Sequence, residues 1–200
     1  MQTVINQFRA NIVRVRDLGV IYSALKAQTT GAIDLSDILR TELVMAVSAL
    51  DHYIHEIVRF GMLKVYHGTR PQTPAFSRFT ISLGSALQGI ATPANGEWLD
   101  DEVRLRHSWQ SFQHADKIAD AIRLISGVRL WEEVGNHLGT PSQEVKERLN
   151  LIVNRRNQIA HEADMAPTPP GSRWPINETL VGGAVDFIEQ IVETIHNIVT

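Results

Sequence analysis

Cysteine is absent from the 200 residues, which excludes disulfide frameworks, thiolate metal sites and a cysteine nucleophile. Long apolar runs are missing too. Gln2 to Arg16 alternates polar with apolar residues, so it reads as neither a signal peptide nor a membrane span, and a cytoplasmic chain with no membrane partner is expected. Positive charge is not in excess: 19 Lys and Arg face 22 Asp and Glu, a net charge of −3. That argues against the broad cationic footprint of a duplex nucleic-acid binder, while leaving room for a pocket that holds a few phosphates. No stretch has the period of a strand and no internal repeat stands out. G-x-G-x-x-G, P-loop, G-x-S-x-G and helix-turn-helix signals are likewise missing, and Gly182-Gly183 lies too close to the start of the last helix to serve as a phosphate loop. No cofactor is called for.

Helical periodicity fills most of the chain. Ile5, Phe8, Ile12, Val15, Leu18 and Ile21 recur at three- and four-residue spacing and predict a first helix from Gln2 to about Ala27. Asp34 or Ser36 can cap a second, long helix through Leu39, Leu43, Ala46, Leu50, Tyr53, Ile57 and Phe60, which Gly61 and Gly68 weaken. Prolines and glycines break the pattern between about 67 and 98, an insertion with room for a short helix around Phe79 to Leu87. Leu99 to Ile125 reads as helical again, with Trp109 on its apolar side and Asp116 able to interrupt it. Leu130 to Leu138 forms a short helix anchored by Trp131, and Gly139 stops it. Thr140-Pro141-Ser142-Gln143 has the form of a capping box with proline at the first helical position. Asn177 can cap a last helix with a broad apolar face from Leu180 to Ile198. With 44% hydrophobic residues, the expectation is a single all-α domain over residues 1–200, a bundle of four or five main helices with the short insertion.

The helix after the capping box carries Arg155-Arg156-Asn157-Gln158-Ile159-Ala160-His161. Val145, Leu149, Ile152, Val153, Ile159, Ala160 and Ala163 share an arc about 120° wide, and Arg156 falls at its centre. A core-facing guanidinium keeps its charge, so it needs a carboxylate, a carbonyl, a partner subunit or an anionic ligand. Glu42 and Asp51 on the second helix are candidate partners, in which case Arg156 fixes helix register and His161 is incidental. Asn157 and His161 share the neighbouring shoulder. His52, His55 and Glu56 invite a metal reading, but the order His-x-x-His-Glu differs from the i, i+4 histidines of H-E-x-x-H sites and no distant ligand joins them; no metal site is assigned.

Arg156-Asn157-Gln158-Ile159-Ala160-His161 resembles the Arg-x4-His motif of the HEPN superfamily. Leu43 to Tyr53 on the long helix, Leu130-Trp131, and Arg155 to Glu162 followed by Asp164 are similar to its RiboL-PSP branch. The resemblance implies a dimeric helical bundle in which two motif helices build one cleft, and a metal-independent endoribonuclease acting on RNA, in a toxin or anti-phage defence role with an antitoxin or defence-system partner. It carries Arg156 and His161 as catalytic, Asn157 as supporting, and Asp51 as the acidic position of the long helix that orients an arginine or the histidine; Arg155 beside the motif and Glu42 on the long helix's arc are added as supporting candidates. Glu162-Ala163 replaces the His-x-Tyr ending of HEPN toxins regulated by nucleotidyltransferases, so that form of regulation is not implied. Other members of the superfamily only bind a nucleotide or a protein. Arg156 and His161 stand about 140° apart on an ideal helix; either the helix distorts between them or a second subunit completes the site.

Overall fold

The computed structural model describes residues 1–169 and 171–200. Among these, the regular elements are helices: α1 (Gln2–Gln28), α2 (Ser36–Tyr66), α3 (Pro74–Ser77), α4 (Leu83–Ala91), α5 (Glu97–His107), α6 (Ala115–Arg123), α7 (Leu130–Leu138), α8 (Ser142–Glu162) and α9 (Glu178–Val199). The single β-type pairing among the described residues is an isolated bridge between Met165 and Arg173. The all-α expectation of a bundle with four or five main helices holds: the long ones are α1, α2, α8 and α9. No helix among the described residues is long and apolar enough to cross a membrane.

α2 is the central element and packs on α1, α9, α8, α5 and α6. Leu39, Leu43, Ala46, Leu50, Tyr53 and Ile57 are buried together with Val47, Ile54 and Val58, so the apolar arc is wider than one stripe, as a helix covered on several sides requires. Full burial of each large aliphatic side chain contributes about 1.5–3 kcal/mol. Gly61 does not weaken this helix, which runs on to Tyr66. A Cβ at Gly61 would lie 2.6 Å from the Ile125 side chain, so the missing side chain is what lets the segment after α6 approach. α9 lays the other broad face on α2: Ile188, Ile191, Val192 and Ile195 have no exposed surface, and the Asn177 side chain accepts from the Leu180 amide to cap its start.

Three local expectations change. The segment 99–125 is two helices: Phe112 N–H and Gln113 Nε2 both donate to Asp51 of α2, at 2.6 and 3.1 Å, and these bonds pull the chain out of helical register between α5 and α6. Trp131 is the core anchor expected, its Nε1 donating to Ala115 O at 2.8 Å, whereas Trp109 is not in the core; it sits on the turn after α5 with 87% of its surface exposed. The capping box before α8 is not formed. Pro141 is the N-cap, Thr140 Oγ1 donates back to Leu138 O, and the first turn of α8 has no side-chain cap. Within the insertion, the helix expected around residues 79–87 is α4, displaced toward the C-terminus and capped by Ser82, which accepts from Ser85 N–H.

Candidate functional site

The motif lies where α8 leaves the core. Val145, Leu149 and Val153 are buried, and no later residue of α8 is. Arg156 continues their line one turn on and is therefore half-buried at the rim; Ile159 is half-buried, while Ala160, His161 and Ala163 are exposed. The apolar arc thus ends at Val153 instead of running through Ala163. α8 is an unbroken α-helix to Glu162, so distortion does not bring Arg156 and His161 together: five residues apart, they stay about 140° around and about 7.5 Å along the axis.

What fixes the end of α8 is a buried ion triad. Ala163 and Asp164 both have left-handed backbone, φ 51° and 59°, conformations that a non-glycine residue keeps only when its surroundings impose them. Asp164 has no exposed surface. Arg40 Nε donates to Asp164 Oδ2 at 2.6 Å, Arg155 Nη2 donates to the same oxygen at 2.9 Å, and Arg155 Nη1 lies 2.5 Å from Oδ1. Two guanidiniums share one carboxylate, and further donors go to carbonyls: Arg40 Nη2 to Trp174 O at 2.9 Å, Arg155 Nη2 to Trp174 O at 3.2 Å and Pro175 O at 3.3 Å. Arg173 adds an ion pair to Asp37. The chain after α8 is thereby held against the first turns of α2. Burial lowers the Arg155 pKa and Arg40 adds to this, while Asp164 opposes it.

Arg155 is therefore structural, and the ion pair envisaged for Arg156 belongs to its neighbour. Arg156 has no carboxylate partner among the described residues; its Nη1 donates to Asn157 Oδ1 at 2.9 Å, and its buried Nε has no partner among them. Neither proposed acid reaches it. Glu42 is buried against α1, where a Cβ at Gly19 would meet its carboxylate oxygens at 3.1 Å; burial raises its pKa, and Arg16 opposes this. Asp51 is engaged by the α5–α6 connection, and orients neither Arg156 nor His161. Arg40 and the role of Asp164 escaped sequence reading, because the triad joins residues 124 apart and closes beyond the helix end.

The histidines of α2 separate. His55 Nε2 lies 3.7 Å from Asp51 Oδ1 and its ring packs 4.5 Å from Phe112; Glu56 binds Arg59; His52 lines a cleft with Asn11 and Met45. His55 also faces His107 of α5, 6.1 Å away, which packs edge-on against Phe112 and Phe79. His107 is 4% exposed, its Nδ1 has no partner among the described residues, and burial, then His55, push its pKa down from 6.5 to about 4. Above pH 6.5 it is neutral in folded and unfolded chains alike. Between 6.5 and 4 only the unfolded chain takes the proton, so stability falls as pH falls, by about 3 kcal/mol in all. Urea melts at pH 7 and pH 4.5 should show this loss in the native chain and a smaller one in His107→Leu; equal acid sensitivity in both would rule His107 out as its source.

Beside the motif, a cleft of about 460 Å³ opens between α2 and α8, lined by Arg40, Val44, Ile159, Ala163, Met165 and Arg173, among others. It is mostly apolar at its walls, and its charged residues are paired: Arg173 with Asp37, which also lines it, and Arg40 with Asp164. Arg156 and His161 are not among its lining residues. The α8 end thus presents an arginine without a carboxylate, an amide and an exposed histidine at the rim of the bundle, next to a cleft. No protein-family model, curated protein or solved structure matches the chain.

Proposed function

We infer that the chain is a metal-independent endoribonuclease whose reacting groups are Arg156 and His161, with Asn157 supporting. The observation that carries this reading is Arg156: a half-buried guanidinium with no carboxylate partner and an unpartnered Nε, among the described residues, beside Asn157 and at the same helix end as an exposed histidine. A guanidinium so placed is free to take phosphate oxygens with its fork of donors. In the reaction, the RNA 2′-oxygen attacks phosphorus as its proton passes to a base. The bond to the 5′-oxygen breaks as an acid protonates it, leaving a 2′,3′-cyclic phosphate and a 5′-hydroxyl. The imidazole of His161 serves as base or acid, and Arg156 stabilises charge on the phosphorane-like transition state.

Because α8 stays straight, one chain's Arg156 and His161 face different directions. A two-fold pair of chains brings two copies of each to one phosphate, as an isologous interface sets identical helices face to face. The resemblance in the motif adds an antitoxin or defence-system partner to this reading. The test compares native protein, His161→Ala and Arg156→Ala on single-stranded RNA in EDTA. Cleavage by the native chain and its loss in both variants is expected; equal activity in all three, or a requirement for added divalent metal, overturns the mechanism.

One feature favours the rival reading, a non-catalytic module that binds a nucleotide or a protein. Leu83, Leu87 and Ile90 form an exposed apolar row on α4, 77%, 58% and 76% accessible, a surface suited to a protein partner. A dimer that captures a partner but leaves RNA intact under every condition would establish it.

A further inference from the structure

Trp109 is the most exposed large hydrophobic side chain of the described residues, at 87%, and its backbone lies in a hydrogen-bonded turn. It follows α5 on a turn closed by Gln110 N–H to His107 O at 2.9 Å and by Ser108 Oγ to Leu105 O at 2.7 Å. Its ring borders a groove of about 650 Å³ with Arg78, Phe79, Leu105, Arg106 and Gln110. Glu102 on the floor is almost buried and fully engaged: it accepts from Ser82 N–H, Ser85 Oγ and Arg106 Nε at 2.9, 2.7 and 2.8 Å. Arg106 balances its charge. Arg78 has no carboxylate partner among the described residues, and so gives this groove a net positive charge. At Ala75 and Arg78 the groove meets a second, of about 600 Å³, in which Arg123, Arg129 and Lys146 are ion-paired with Asp120, Glu132 and Asp116.

We propose that this groove binds a single strand of RNA, with a base stacked on Trp109 and the backbone held at Arg78. A flat aromatic face, an unpaired guanidinium and a carboxamide are the groups that hold unpaired nucleotides: every base has a π-face, and phosphate follows the cations. A duplex hides its base faces, and the chain's net charge of −3 provides no broad footprint for one. The unpaired Arg78 in the groove that Trp109 borders calls for an anion next to a flat π-face, which a nucleotide supplies in one unit. The choice of RNA over DNA rests on the ribonuclease reading; the stacking site itself does not.

Binding is measured by fluorescence anisotropy with a fluorescein-labelled adenosine 12-mer on His161→Ala protein, so that cleavage does not interfere. Adding Trp109→Ala should weaken binding about tenfold, within the range measured for base–aromatic stacking. Adding Arg78→Gln should also weaken it and lower the slope of log K against log salt by about 0.7. Both side chains are exposed, so the fold is retained. No binding by the parent, or unchanged binding by both variants, overturns the groove. The two proposals separate cleanly. Trp109-dependent binding without cleavage by the native chain sinks the nuclease and leaves the groove, whereas cleavage with an unchanged KM in Trp109→Ala sinks the groove and leaves the nuclease.

Discussion

Replacing Asp164 by alanine is expected to lower stability by about 3–5 kcal/mol, the cost of leaving buried charges without their counter-ion, and so to lower Tm by roughly 10 °C in a domain of this size. Arg40, 5% exposed, would keep its bonds to Ser36 and Trp174 O and a longer contact of 3.9 Å to the exposed Asp37, and alanine at φ 59° carries backbone strain that aspartate tolerates better. Asp164→Asn separates the two contributions. Asparagine accepts left-handed backbone and retains one acceptor oxygen, but two guanidiniums then lack their negative charge, so an intermediate loss is expected. Hydrogen exchange should locate the damage: faster exchange at the Trp174 amide, which donates to Asp164 O at 2.9 Å, and at the end of α8, with the α2–α9 core unchanged until global unfolding. A melting temperature within about 2 °C of the parent for Asp164→Ala, a change worth less than about 1 kcal/mol, would show that the triad is not what holds the α8 exit.

How legible this arrangement was depended on whether its cause is local. α1 and α9 follow from stripe and cap alone, and begin where Gln2 and Asn177 predict because nothing tertiary competes there. The division of residues 99–125 does not follow, since it is imposed by hydrogen bonds from Phe112 and Gln113 to Asp51, about 60 residues away in sequence. Periodicity assigned Trp109 to a core face that the helix never reaches, because α5 ends at His107. The same logic overstated how deep Arg156 lies on α8. A helical arc reports which residues share a side but not how far the core extends along it, and the core stops at Val153. Arg156 thus emerges at the rim as the unpaired arginine, and Arg155, off the arc, is the one drawn inward by an aspartate beyond the helix end.

That division between neighbouring arginines gives the sharpest expected contrast. Arg156→Ala removes a side chain whose one hydrogen bond goes to the adjacent Asn157, so its melting curve should stay close to the parent's, within about 0.5 kcal/mol, as for other substitutions that break no ion pair. If Arg156 stabilises the transition state, kcat falls by about 10²–10³, the typical loss for one preorganised charge-stabilising donor. Arg156→Lys should recover little of this, because an ammonium is a point charge and lacks the planar fork. Arg155→Ala should behave in the opposite way. It leaves Asp164 with Arg40 alone, which remains 2.6 Å away, so stability drops by about 2–3 kcal/mol, less than on loss of Asp164 itself. Near 20 °C, where the fold persists, its kcat should fall far less than that of Arg156→Ala. Paired thermal melts and single-turnover cleavage assays of the three variants read both quantities. A folded Arg156→Ala that cleaves RNA at the native rate would leave Arg156 as a rim cation without a chemical role, and a strongly destabilised one would make it a second structural arginine.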